Sequence, residues 1–391
     1  MIGDAGGELP AEAYGAALAG LPAMGPARLV ALLSRWPAAD AWARVGRGRA
    51  AADAAVAGAC RPDPAGVALG WKRAAASVDV HAAWSAYGRA GVTVALRGSS
   101  AYPSHLDNDQ EAPAVLFARG DPGALEARRV AIVGTRQCTR YGFDVARDLG
   151  RELAAAGVAV VSGLALGVDG AAHTGALAAP GGAPPVAVVG SGLDVVYPSR
   201  HASLWAAVAE RGLLLSEAPL GARPESWRFP VRNRVLAALA EVVVVVESHV
   251  RGGSLHTVDA AIGRDRLVMA VPGSVRSPAS AFPNALLADG CPPVRDALDV
   301  LVALGLSAAT SGVRDSRVRE TAAAVEDLDP DTRAALDALG WEPATLDEVV
   351  SRSRLEPGAA SLALARLERE GWIRTDGAWS ERVVRRAPGR P

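Results

Sequence analysis

No apolar run in this chain reaches the ~18–20 residues that a helix needs to cross a bilayer. The longest, such as Val242–Val246, have the length of a strand, so no membrane association is expected. Residues Met1–Pro10 are acidic and Gly-rich, with neither the basic nor the apolar segment of an export signal, and the cytoplasm is the expected location. Cysteine is scarce. Cys60, Cys138 and Cys291 stand singly without CxxC spacing, which excludes a disulfide framework and argues against a thiolate metal site. Lysine is almost missing, since Lys72 is the only one among 41 basic residues. The formal net charge of −1 excludes a protein that coats nucleic acid by a global positive field. Any contact with a polyanion must come from a local cluster of arginines, whose planar forks suit phosphate.

What is present is a chain of 391 residues, half of them apolar, enough for two or three domains. Residues 1–76 are Ala-rich and helical in pattern, broken by Pro22, Gly25-Pro26 and Pro37, and are expected to form a small helical domain. Across 77–304, short continuous apolar runs alternate with helical stretches. The runs are Val130–Gly134, Val158–Gly163, Val186–Gly190, Leu213–Ser216, Val242–Val246 and Leu267–Val271. Strands buried on both faces of a parallel sheet have this character, so the pattern predicts a Rossmann-like α/β domain with a doubly wound, mostly parallel sheet. Residues 305–326 lack apolar periodicity and read as a linker. Over 327–386, three short helices (Asp331–Leu339, Thr345–Ser353, Pro357–Glu370) and a hairpin turning at Asp376-Gly377 predict a winged helix, with Leu362, Leu364 and Leu367 on the core face of its third helix.

Ligands of open α/β sheets sit beyond the carboxyl ends of the strands. The first such end reads Gly134-Thr135-Arg136, with Arg140 and Tyr141-Gly142 opening the next helix. A glycine there lets amide groups approach an anion, and a helix N-terminus favours negative charge; a plain structural turn is the alternative. The spacing is not GxGxxG, so neither a dinucleotide nor any other cofactor is expected. The second end is Ser162-Gly163, followed by Asp169 and His173 one turn apart. That pair is an acid/base or metal-binding couple on one reading, a helix cap and a packed histidine on the other, and the second is preferred. The third gives Gly190–Asp194 with Tyr197-Pro198 beyond, and the fourth Leu215-Ser216-Glu217. Glu247 ends the Val-rich strand ahead of Gly252-Gly253-Ser254, where it could serve catalysis or pair with Arg251.

The densest charge lies between these last two ends. Arg223, Arg228, Arg232 and Arg234 fall within twelve residues, interleaved with Trp227, Phe229, Pro230 and Asn233. Guanidinium groups on phosphate with a ring under an unstacked base suit a single strand; a solvated basic face with the two rings in the core is equally compatible.

Taken in order, several of these segments resemble the DprA/Smf family of DNA-processing proteins. They are Tyr102-Pro103, Pro113–Asp121, Val130–Arg136 with Tyr141-Gly142, Ser162–His173, Gly190–Pro198, Leu215–Glu217, Phe229–Arg234 and Ala270–Gly273. The Arg232-Asn233-Arg234 segment before a Val-rich strand is the most diagnostic. The resemblance implies a binding protein, not an enzyme, that holds single-stranded DNA and helps load RecA recombinase in natural transformation and recombination. It also implies shared use of strands with single-strand-binding protein and a homodimer through the Rossmann-like domain. The residues it marks for DNA are Gly134, Thr135, Arg136, Ser162, Gly163, Arg232, Asn233 and Arg234, to which the chemistry of the turns and of the arginine-rich segment adds Arg140, Arg228, Phe229, Gly253 and Ser254. Leu21–Leu33 resemble the family's SAM-like or helix-hairpin-helix-like extension. Leu166 stands where many members carry a basic residue. The alternatives are a nucleotide-processing hydrolase using Asp169, Glu217 and Glu247, and a transcriptional regulator reading duplex through the winged helix; Arg366 and Arg369 against Glu356, Glu368 and Glu370 make that third helix less basic than a duplex reader.

Overall fold

The computed structural model describes residues 8–250, 252–306, 328–340 and 343–382. The chain divides into two compact units, Met1–Leu304 and Gly305–Pro391.

The first unit opens with helices α1 (Ala11–Ala19), α2 (Pro26–Leu33), α3 (Ala38–Gly46), α4 (Ala54–Ala59), α5 (Pro64–Ala75) and α6 (Val80–Arg89). Their starts follow local chemistry. Pro26 and Pro64 occupy first-turn positions, where the missing N–H would have no partner, and Asp53, Asp63 and Asp79 accept amide bonds at the N-termini of α4, α5 and α6. These helices do not close a core of their own. Leu18, Leu29, Leu32 and Trp71 share one buried cluster with Val94, Phe117, Val189 and Leu214 of the sheet.

The sheet has eight strands: β1 (Thr93–Leu96), β2 (Val115–Gly120), β3 (Arg128–Val133), β4 (Val158–Ser162), β5 (Val186–Val189), β6 (Leu213–Ser216), β7 (Val242–Val245) and β8 (Leu267–Ala270). Their order is β1-β2-β6-β5-β4-β3-β7-β8. The six strands from β6 to β8 run parallel, while β1 and β2 add antiparallel to the β6 edge. The six apolar runs thus form the parallel strands, and the antiparallel pair is an addition that they did not foretell. Helix α7 (Ser104–Asp107) connects β1 to β2; α8 (Arg140–Ala155), α9 (Val168–Leu177), α10 (Ala202–Arg211), α11 (Arg228–Leu239) and α12 (Leu255–Ile262) are crossovers; α13 (Ala281–Ala288) and α14 (Ala297–Ala303) follow β8. Alternate strand residues feed two buried layers: Val130, Ile132, Val158 and Val160 pack with α8, α9 and α14, whereas Ala131, Val133 and Val161 pack with α11, α12 and α13. The strand order reverses beside β3, which pairs with β4 on one side and β7 on the other. That switch point opens the crevice where a ligand of such a sheet belongs. Among the described residues no helix is long and apolar enough to cross a membrane.

The second unit is a winged helix: α15 (Pro330–Leu339), β9 (Ala344–Thr345), α16 (Leu346–Ser353), α17 (Pro357–Arg369), and the wing of β10 (Ile373–Asp376) and β11 (Trp379–Arg382). Thr345 and Glu348 form a reciprocal capping box at α16. Leu336, Leu339, Val349, Leu364, Leu367 and Trp372 build its core. Leu362, expected on the core face, is 58% exposed. At 100° per residue it lies across the helix from Leu364, and the core face runs through Ala360, Ala363, Leu364 and Leu367 instead. All but the first two residues of the expected linker lie outside the described residues.

Candidate nucleic-acid interface

Gly134 follows β3, and Glu247 follows β7 by two residues. The Thr135 amide donates to the Glu247 carbonyl at 2.6 Å, tying the two strand ends together. The Glu247 carboxylate accepts from the Thr139 amide at 2.8 Å and from Thr139 Oγ1 at 2.6 Å, while Thr139 Oγ1 itself accepts from Gly142 at the start of α8. A Cβ at Gly142 would collide with that carboxylate, so glycine is required by close approach. Glu247 is therefore a buried brace of the switch point; Arg251, its other suggested partner, lies outside the described residues.

The second strand end is braced in the same manner. Asp169 is buried in the first turn of α9 and accepts from the Gly163 amide at 3.1 Å. Arg232, reaching across from α11, acts on it through its charge, and its Nη1 donates to the Val188 carbonyl. Burial raises the Asp169 carboxyl above its ordinary value and pushes Arg232 down to about 10, while each charge favours the ionised form of the other. A Cβ on Gly163 would overlap the Arg232 guanidinium. His173 is wholly buried, and burial pushes it down to about 3, so it is neutral. Among the described residues no group of His, Cys, Asp or Glu could hold a metal ion.

These braces rearrange the expected site. The amides of Thr135 and Gly163 are spent inside the fold and do not face an anion. Ser162 is buried and donates to the Ile132 carbonyl; Ser254 is buried and donates to Ser248. Arg232 is 7% exposed, and Asn233, also buried, donates to the Gly253 carbonyl. Gly253 itself is exposed, and Gly134 and Thr135 are half-buried. Arg234 is held by Glu217 and the Glu111 carbonyl, and burial raises the Glu217 carboxyl to about 6 even against that arginine. The Arg-Asn-Arg segment, read from sequence as the strand-gripping element, thus faces inward. The reason is its place on α11: Val235, Leu236 and Leu239 must meet the sheet, and one turn earlier the same face carries Arg232.

What stays outside is the edge of that helix and its neighbours. Arg136 is exposed, and its guanidinium lies 4.8 Å from the centroid of the half-buried Phe229 ring. Tyr197, 39% exposed, has its ring centroid 5.6 Å from that of Phe229. Gly190, at the end of β5, seats the ring, since a Cβ there would stand 3.3 Å from it. Just before α11, Trp227 is 42% exposed with the Arg228 guanidinium 4.5 Å over its ring, and its indole N–H donates to Glu225. Two bonds hold the loop that delivers Trp227: the Gly192 amide to the Ala222 carbonyl at 2.9 Å, and the Gly221 amide to Asp194 at 2.8 Å. Arg140 is exposed but paired with Asp144 at 2.9 Å. Tyr197 was absent from the expected binding residues, whereas Trp227 was one of the two rings weighed for stacking in the arginine-rich segment. The Tyr-Pro after β5 and the Trp-Arg pair were legible signals, but only packing shows which aromatics remain outside.

The family model described as DNA recombination-mediator protein A matches residues 93–305, and the one described as the DprA winged helix domain matches 319–377. The chain is 41% identical over 282 residues to a putative DNA processing protein DprA of Mycobacterium tuberculosis, covering 71% of this chain and 70% of that one. It is 37% identical over 217 residues to DNA processing protein DprA of Bacillus subtilis, covering 55% and 72%. The solved structure of DNA processing protein A from Streptococcus pneumoniae superposes with a TM-score of 0.61 at 28% identity, covering 75% of this chain and 98% of that one. With its sheet domain and its winged helix each matched in turn, this chain belongs to the DNA recombination-mediator protein A family, also called DprA/Smf.

Proposed function

We propose that this chain binds single-stranded DNA along the carboxyl rim of its sheet and performs no chemistry on it. The observation that carries the reading is the Arg136–Phe229–Tyr197 group, in which an exposed cation with no salt bridge among the described residues lies over the half-buried Phe229 ring, itself against the exposed Tyr197 ring. Rings under unstacked bases and guanidinium on phosphate recognise a strand without regard to sequence. The three carboxylates that a hydrolase would need favour the same reading: Asp169 holds an amide, Glu217 holds Arg234, and Glu247 holds Thr139. Loading of RecA recombinase, shared strands with single-strand-binding protein, homodimerisation and cytoplasmic residence are the parts of this proposal that rest on the family.

The test is a salt titration of the full chain against a 20-nucleotide dT strand and a duplex of equal length. Binding is expected to favour the strand and to weaken linearly in log–log salt. Arg136→Ala should lower strand affinity about tenfold at moderate salt and reduce the slope by ~0.7, the value for one phosphate contact on a single strand. Preference for duplex, or an Arg136→Ala protein that binds unchanged, refutes the assignment.

A further inference from the structure

The N-terminal helices carry a cluster of positive charge that shares no residue with the rim. The chain leaves α3 through Arg44-Val45-Gly46-Arg47-Gly48-Arg49, and all three arginines are exposed. Gly48 has φ +68°, a left-handed conformation that glycine adopts freely, and the Arg49 amide turns back to donate to the Arg44 carbonyl at 2.9 Å. Lys72, the one lysine of the chain, crosses from α5 onto this turn: a Cβ at Gly48 would stand 3.1 Å from its Cδ. Four cations are thus gathered around one glycine. Among the described residues none of the four forms an ion pair. Asp53, in the segment that follows, is held by Arg35 at 3.0 Å, and Asp40, one turn before Arg44, makes no ion pair with it. Helix α8 shows the ordinary arrangement, in which Arg140, Arg147 and Arg151 are paired with Asp144 and Asp148. Like charges left without such partners repel one another, and a polyanion supplies the missing counter-charge.

The cluster differs from the rim in offering no ring to a base. The Arg44 guanidinium covers Trp36 at 4.7 Å from its centroid, Trp71 is fully buried, and Trp42 packs against the core. The amides of Arg47, Gly48 and Arg49 are all bonded within the turn. What remains to grip a ligand is a set of long cationic side chains, which hold phosphate without touching bases. An unstacked strand gains from rings, whereas a duplex presents its phosphates and keeps its bases stacked. We propose that the turn after α3, with Lys72 of α5, binds the sugar-phosphate backbone of duplex DNA. It is a second nucleic-acid contact, weaker than that of the rim, and it stands on different residues.

The full-length chain and the variant Arg47→Gln/Arg49→Gln/Lys72→Gln are titrated with a 20-base-pair duplex and with a dT 20-mer at 50–200 mM salt. Duplex affinity is expected to fall about tenfold at 50 mM, with a log–log salt slope shallower by ~2.7, or ~0.9 for each phosphate contact removed from B-form DNA. Binding of dT should not change. A second readout uses the single lysine and needs no variant. Acetylation of the wild-type chain by an N-hydroxysuccinimide ester, followed by peptide mass, should slow several-fold at Lys72 under saturating duplex and stay unchanged under dT. Thermal unfolding identifies a variant that fails to fold, and Lys72 protection then decides. The proposal is refuted by a folded variant that binds duplex as the wild type does, or by Lys72 acetylated equally fast with and without duplex. A variant that loses strand and duplex equally also overturns it, and assigns the turn to the path of the strand.

Discussion

Replacing Arg232 by methionine should unfold this protein more readily before it changes DNA binding directly. The side chain is buried, donates to the Val188 carbonyl and acts through its charge on Asp169, itself fixed to the Gly163 amide. Methionine preserves most of the volume but leaves the Asp169 carboxylate buried without its cation. Losing a buried hydrogen bond made by a charged group typically costs ~1.5–3 kcal/mol. With ~2.1 cal/mol/K of unfolding entropy per residue, a unit of about 300 residues loses roughly 0.6 kcal/mol per degree, so the melting temperature should fall by about 2–5 °C. Asp169→Asn alone should destabilise by a similar amount. The double variant should be more stable than the sum of the two losses predicts, because the second change removes the stranded charge. Calorimetry gives the stabilities, and titration with a dT strand well below the melting temperature gives the affinities. An Arg232→Met protein that melts like the wild type yet binds DNA tenfold more weakly refutes the argument and returns Arg232 to the strand.

Phe229→Leu keeps the seat over Gly190 filled but removes the ring, and anisotropy titrations should show a loss of ~1–3 kcal/mol in strand binding, the range for one stacked base; unchanged affinity would move the bases elsewhere. Glu247→Ala removes the acceptor of two Thr139 bonds, and urea denaturation should register about 2–4 kcal/mol; a loss below ~0.5 kcal/mol would show that the brace is dispensable. His173 titrates at about 3 in the folded chain against an ordinary value of 6.5 in the unfolded one, so its contribution is complete above pH 6.5 and declines as pH falls toward 3, by up to ~4–5 kcal/mol. His173→Gln should flatten the stability profile in that window, and an unaltered acid transition would show that another group governs it.

Much was legible from the chain alone because it depends on local periodicity. Continuous apolar runs such as Val158–Gly163 have the character of strands covered on both faces, and together with the helical stretches between them they pointed to a parallel sheet and placed glycines at its carboxyl rim. The winged helix was readable from three short helices and an Asp-Gly turn. The N-terminal helices read as a separate domain, since sequence does not show that Leu18 and Trp71 bury against the same layer as Phe117. The antiparallel β1–β2 edge was likewise decided by pairing with β6, a contact between residues about a hundred positions apart. Charge was the least legible property. Arginine type and spacing marked the region 223–234 correctly as dense in cations, but whether a guanidinium meets water or a buried carboxylate depends on which helix face the sheet demands. That geometry turned Arg232 and Arg234 inward as braces and left Arg136, Phe229, Tyr197 and Trp227 at the surface, because desolvated charges must be paired inside while unpaired ones must stay wet.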